Sequence, residues 1–120
     1  MGTSKSSKRE GAWSAEACLF SGRANPTWNL TDEQVRRLLK LWELMEPASR
    51  SELHPPPLGY RGVLLKGSDE REWRVYGGVI TLKKSGGDVQ TREDHGREFE
   101  KVLLSSAPHG IMPPGFVQFQ

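Results

Sequence analysis

The segment from Leu30 to Pro47 limits the choice of fold more than any other part of the chain. Thr31 stands where a helix N-cap would, and Gln34 three residues later completes a capping box, which satisfies two orphan amides of a helix start. Leu30 before the cap and Val35 behind it form a hydrophobic staple. Asp32 and Glu33 place negative charge in the first turn, where the helix dipole favours it. Val35, Leu38, Leu39, Trp42 and Met45 recur at helical spacing, with Leu41 and Leu44 widening the stripe. Arg36, Arg37, Lys40 and Glu43 fall mainly on the other side. The pattern predicts an amphipathic helix from Asp32 to about Glu46, ended by Pro47. A helix with one apolar face needs a second layer to bury it.

That layer reads as strands. Ser14 to Phe20 alternates around Ala15, Ala17 and Leu19 and predicts a strand. Ser21 to Asn29 reads as a loop, because Asn before proline is biased away from helix and Pro26 cannot donate to a ladder. Beyond the helix, Ala48 to Pro57 is a polar connector whose three closing prolines favour an extended polyproline segment. Tyr60 to Lys66 and Glu72 to Lys84 are rich in β-branched and aromatic residues, with a hairpin loop over Gly67 to Arg71. In the second run Trp73, Val75 and Gly77 are expected on one face, and Arg74, Tyr76, Gly78, Ile80 and Leu82 on the other. The paired glycines suggest a bulge or a close approach by another chain. Val89 to Arg92 reads as a short closing strand, and Asp94 or Thr91 as the cap of a last helix with Phe99, Val102 and Leu103 as its stripe.

The expected fold is therefore an α+β two-layer sandwich. Its twisted antiparallel sheet would have three or four strands and two helices, in the order β-α-β-β-(β)-α. The expected division is a disordered basic tail over 1–12, one domain over 13–107, and a Pro/Gly-rich apolar tail over 108–120 carrying Met112, Phe116, Val117 and Phe119.

The search for chemistry returns little. A length of 120 residues supports one modest core. The single cysteine, Cys18, excludes an intramolecular disulfide and a CxxC zinc site, and its strand pattern suggests a buried inert thiol. His54, His95 and His109 lie apart, with no ligand spacing. Phosphate-binding, dinucleotide-binding and nucleophile-elbow glycine motifs are missing, so no catalytic residue, metal or cofactor is expected. Glu93, Asp94, Glu98 and Glu100 alternate with Arg92, Arg97 and Lys101 and read as a solvated helix face. No apolar run approaches the roughly 18–20 residues that span a bilayer.

Charge separates tail from body. The net charge is +2, and residues 1–10 alone hold Lys5, Lys8 and Arg9 against Glu10, so the rest of the chain is balanced. A basic stripe for nucleic acid would need an excess on one face, such as Arg61, Arg71, Arg74, Lys83 and Lys84 gathered together; composition argues against it. The tail itself matches M-G-x-x-x-[ST] through Gly2 and Ser6, and resembles the N-terminus of Src-family kinases over about ten residues. The resemblance implies myristoylation of Gly2, with Lys5, Lys8 and Arg9 drawn to an anionic membrane surface as the second signal that a single acyl chain needs.

A second likeness spans most of residues 19–107. SGRANPTWNLTDEQ, GYRG at Gly59–Gly62 and VYGG at Val75–Gly78 resemble a set of small bacterial-type proteins with an SGR-x-NP-x-W opening, to which no function is attached. It implies a shared domain and transfers no catalytic residue. Within that opening, Arg23 carries five fixed donors with no local use for them, Asn25 can close an Asx turn, and Trp28 suits a lid on the core. These three form the expected partner-binding loop.

The functional expectation is a non-enzymatic protein-interaction module that uses this loop, the proline connector and the apolar tail. It would be cytoplasmic, and peripheral on the cytoplasmic face of a membrane if Gly2 is acylated. The competing class is an enzyme or small-molecule binder with a pocket between sheet and helix, walled by Trp42, Trp73 and Tyr76 with Arg23 and Arg74 as its polar groups.

Overall fold

The computed structural model describes residues 13–19, 24–48 and 60–112. The elements are β1 (Ser14–Ala17), β2 (Thr27–Asn29), α1 (Asp32–Glu43), β3 (Val63–Lys66), β4 (Glu72–Tyr76), β5 (Val79–Lys83), β6 (Val89–Glu93), a 3-10 turn (His95–Arg97) and α2 (Glu98–Ser105). The strands form one antiparallel sheet in the order β2-β1-β3-β4-β5-β6. The expected α+β sheet with two helices is present. It has six strands rather than three or four, in the order ββα-ββββ-α.

Two local features account for the difference. Gly77 and Gly78 have φ of 64° and 84° and form the two-residue turn of a hairpin closed by the Tyr76–Val79 pair. Such a turn needs positive φ at both central positions, which glycine adopts without strain. The run expected as one strand is thus two, and the reversal carries Ile80 and Leu82 back beside Val75 and Trp73 on the same face. The other feature is β2, expected as loop. Pro26 cannot donate, but its carbonyl accepts the Ala17 amide at 3.0 Å, so the proline opens an edge strand without breaking it.

The capping box forms as expected: the Gln34 amide donates to Thr31 Oγ1 at 3.1 Å, and the Thr31 amide donates to Gln34 Oε1 at 2.9 Å. Helix α1 ends at Glu43, earlier than expected, and Leu44 is 75% exposed instead of extending the stripe. The following backbone serves the sheet. The Glu93 amide donates to the Glu46 carbonyl at 2.9 Å, the Ala48 amide donates to the Thr91 carbonyl at 3.0 Å, and Pro47 bridges Arg92.

Register decides which face is buried. Trp28, Ala15, Leu65, Trp73 and Leu82 lie in successive cross-strand pairs on one face, as do Ala17, Val63, Val75 and Ile80. Val35, Leu38 and Trp42 of α1 and Phe99, Leu103 and Leu104 of α2 complete a core with them. Trp42 meets Trp73 edge-on at 6.3 Å and 86°, a favoured aromatic geometry. Burial of each large side chain here contributes about 1.5–3 kcal/mol.

Strand β3 starts at Val63 rather than Tyr60. Gly62 has φ of 108°, and a Cβ there would stand 2.6 Å from the Val75 carbonyl oxygen, so only glycine allows this approach. The start of α2 also departs from expectation. Arg97, neither Asp94 nor Thr91, stands at the N-cap of α2, but the Asp94 carboxylate reaches across the 3-10 turn and caps the helix start by accepting the Phe99 amide at 2.8 Å and the Glu100 amide at 3.0 Å. Asp94 and Glu100 are 2% and 0% exposed, so the solvated face expected here is wrong at these two positions.

Candidate functional site

The β1–β2 hairpin is built around Asn25. Its Oδ1 accepts the Leu19 amide at 2.9 Å, and its Nδ2 donates to Glu16 Oε2 at 2.9 Å. That bond is the leading reason why the Glu16 carboxyl titrates below its usual range, opposed by partial burial and aided by Lys66. Trp28 is 5% exposed and donates from Nε1 to Ser106 Oγ at 2.8 Å. The indole therefore ties β2 to the end of α2. Arg23, the third residue of the expected partner loop, lies outside the described residues, as do Gly2, Lys5, Lys8, Arg9, the proline connector and Phe116, Val117 and Phe119.

The hydrogen bonds of the hairpin fix what β2 offers outward. Leu30 donates to the Trp13 carbonyl and Ala17 to the Pro26 carbonyl, both at 3.0 Å. With the register Ala15–Trp28, these bonds place residues 26, 28 and 30 in the hydrogen-bonded pairs with β1. The N–H and C=O groups of Thr27 and Asn29 then point away from β1. Strand β2 is an edge, and both residues are exposed. Among the described residues no backbone group pairs with Thr27 or Asn29 on that side. The opposite edge differs, because Glu46 to Ala48 lie along β6. An open edge beside a covered one is the most specific surface feature of the fold, since natural sheets protect edges by such covering.

A second polar cluster lies at the other end of β1. The Cys18 amide donates to the Gly62 carbonyl at 2.9 Å, and the Arg61 amide donates to the Cys18 carbonyl at 2.8 Å. The Tyr60 and Tyr76 rings stand 6.0 Å apart, so residues 60–62 and 75–78 meet beside the segment that follows β1. Tyr60 donates its hydroxyl to Glu100 Oε2, while Glu100 Oε1 is buried with no hydrogen-bond partner among the described residues. Burial raises the Glu100 carboxyl above its usual range, opposed by the Tyr60 bond and by Arg97. Burial likewise raises Asp94, opposed by its two amide bonds, and raises Tyr60, aided by Glu100. The Cys18 thiol is raised by burial first and Glu16 second, which disfavours the thiolate and fits an unreactive cysteine. Asp94 caps and Glu100 is sealed, so the two carboxyls do not face a substrate as an acid and base would.

The residues proposed to wall a pocket do not converge. Trp42 and Trp73 pack against each other inside the core, whereas Arg74 and Tyr76 alternate to the opposite sheet face. The basic residues also separate. Arg74 and Lys83 share the outer face with Glu72, but Arg71 lies 5.4 Å from the centre of the Trp13 ring and 4.9 Å from that of Trp73. Among the described residues no group of three or more His, Cys, Asp or Glu could hold a metal ion, and no helix is long and apolar enough to cross a membrane.

The open edge was missed because Asn25-Pro26 masked the strand behind it, although Thr27 and Trp28 both favour β structure. Glu100 was missed because alternation with Arg97 and Lys101 hides a position on the buried side of a helix; its spacing from Phe99 and Leu103 was the available signal. No protein-family model matches the sequence, and the searches of curated proteins and of solved structures likewise found no match.

Proposed function

We propose that this protein is a non-enzymatic interaction module that binds a partner by adding an extended strand of that partner to the β2 edge. The observation that carries this reading is the asymmetry of the two edges: Glu46 to Ala48 cover β6, while Thr27 and Asn29 present two N–H and two C=O groups outward. An incoming strand satisfies all four, as in other β-augmentation complexes. The partner loop read from the sequence leads directly into this strand, with Asn25 setting its geometry and Trp28 anchoring it to α2. The acylated, basic N-terminus would hold such a module at an anionic membrane surface.

The magnitudes limit what the edge does alone. Four backbone hydrogen bonds at about 0.5–1.5 kcal/mol net each fall short of the roughly 8 kcal/mol of a micromolar complex. Side-chain contacts from the partner must supply the rest.

The test is panning of a displayed library of random 12-residue peptides against the protein, followed by binding measurements on the enriched peptides. Asn29→Pro removes one outward N–H that β1 does not use, and is expected to weaken binding at least tenfold while leaving the melting temperature within a few degrees. Asn29→Ala is expected to bind normally. Peptides that bind Asn29→Pro and the parent equally well would overturn the edge as the docking strand.

A further inference from the structure

Helix α2 is fastened to the rest of the fold at three places. At its start, the Asp94 carboxylate accepts the Phe99 and Glu100 amides. At its end, Trp28 Nε1 donates to Ser106 Oγ at 2.8 Å, and that hydroxyl donates to the Leu103 carbonyl at 2.6 Å. Between them, the Glu100 carboxyl accepts the Tyr60 hydroxyl from the segment before β3. The third fastening differs from the other two. Glu100 is as fully buried as Phe99 and Leu103, yet its Oε1 has no hydrogen-bond partner among the described residues. A buried carboxylate with an unmatched oxygen is far less comfortable than the neutral acid.

The groups that act on this carboxyl come from three elements: Tyr60 before β3, Arg97 in the 3-10 turn and Asp94 just after β6. Tyr60 and Arg97 favour the carboxylate, burial and Asp94 oppose it, and burial is the largest of these. Tyr60 is itself held above its usual range by burial and by Glu100, with smaller influences from Arg97 and Cys18, so it keeps its proton and remains the donor. Ionisation of Glu100 therefore sets the carboxylate against its surroundings, and moving it to water relieves the cost.

The backbone at the start of α2 supplies a route. Gly96 and Arg97, at φ of 63° and 57°, form a left-handed break between Asp94 and the helix. Rotation at such a junction moves an element as a body. An eight-residue helix makes few backbone bonds of its own, so its detachment costs less than opening the six-stranded sheet.

We propose that Glu100 is a proton-controlled latch on α2: the protonated side chain keeps the helix seated on the sheet, and loss of its proton to solvent lets α2 swing out about Gly96 and Arg97 while the sheet stays paired. Because Ser106 holds Trp28, release also frees the helix-facing side of β2. The latch is independent of whether β2 is a docking edge. In the released helix Glu100 returns to its ordinary value of about 4.5, so release is least populated below that pH. Above it, release grows by about tenfold per pH unit until the folded value is passed.

Native-state amide exchange between pH 4.5 and 8, corrected for the intrinsic effect of hydroxide, tests the latch on the parent and on Glu100→Gln. The Glu100 side-chain carboxyl of the parent is followed alongside by carbon-13 NMR. The Leu103 and Leu104 amides and the Trp28 indole N–H are expected to open together, at least tenfold more often than the Trp73 and Val75 amides of β4. Their opening constant should rise across this range at least tenfold more in the parent than in Glu100→Gln, where only Asp94 remains of the two buried carboxyls. The Glu100 carboxyl should titrate above its ordinary value in the folded parent. One opening constant shared by the helix and β4 would overturn the latch in favour of whole-protein unfolding. Equal pH rises in parent and variant would overturn it too, as would a Glu100 carboxyl that titrates at or below about 4.5. The carboxyl measurement decides the matter on the parent alone if Glu100→Gln does not fold.

Discussion

Asp94→Ala is expected to destabilise the protein by about 2–6 kcal/mol, because it strands two buried amides at about 1–3 kcal/mol each. Asp94 is 2% exposed, and its two oxygens accept the amides of Phe99 and Glu100 at 2.8 and 3.0 Å. Those amides have no earlier helical carbonyl to reach, since the chain before them turns through Gly96 and Arg97 at φ of 63° and 57°. Phe99 packs fully buried against the sheet, so water cannot replace the lost acceptor. Asp94→Asn keeps one carbonyl acceptor and should lose about half as much. Chemical denaturation measures both, and an alanine variant within about 1 kcal/mol of the parent, below the range given for even one unsatisfied buried group, would show that this carboxylate does not hold α2.

Glu100→Gln is expected to act in the opposite direction, and only at higher pH. The carboxyl is fully buried, has one oxygen without a donor among the described residues, and is raised by that burial above its unfolded value of about 4.5. The folded protein therefore holds this proton to a higher pH than the unfolded chain does. Stability from Glu100 is complete below about pH 4.5 and declines as pH rises through the folded value. Asp94 is raised as well and adds to the same decline from its lower starting point. Glutamine keeps an acceptor for Tyr60 but cannot ionise. Below pH 4.5 the variant should match the parent, and at neutral pH it should be more stable by about 1–3 kcal/mol, the cost of a buried carboxylate oxygen with no donor. Unfolding free energies across pH 4 to 8 measure this. Parallel curves for the two proteins would show that the Glu100 carboxyl titrates alike in the folded and unfolded chains, so that its burial carries no pH-dependent cost.

The elements legible in the sequence were those written in local signals. The capping box at Thr31 and Gln34, the stripe through Val35, Leu38 and Trp42, and the hairpin loop at Gly67 to Arg71 all stand as expected. Where the reading failed, partners distant in sequence decided the outcome. Strand β2 exists because Ala15 and Trp28 pair, which no window around Pro26 reveals. Helix α1 stops early because β6, some forty residues on, takes the backbone of Glu46 and Ala48. Gly77-Gly78 was legible as a special backbone site, but bulge and hairpin turn share the same glycine signal, and only the register separates them. Of the candidate loop, Asn25 and Trp28 carry local and long-range structure respectively, and the groups we propose to bind are the backbone of Thr27 and Asn29, which no side-chain motif can advertise.

The central claim is that the outward groups of β2 are open in the free protein and paired in the complex. Amide hydrogen exchange at Thr27, Trp28 and Asn29, followed residue by residue by NMR with and without a saturating panned peptide, tests it most directly. The free protein should show a slow Trp28 amide, held by β1, between fast amides at Thr27 and Asn29, and the peptide should slow those two at least tenfold. Peptide binding that leaves Thr27 and Asn29 exchanging as fast as before would contradict strand addition at this edge.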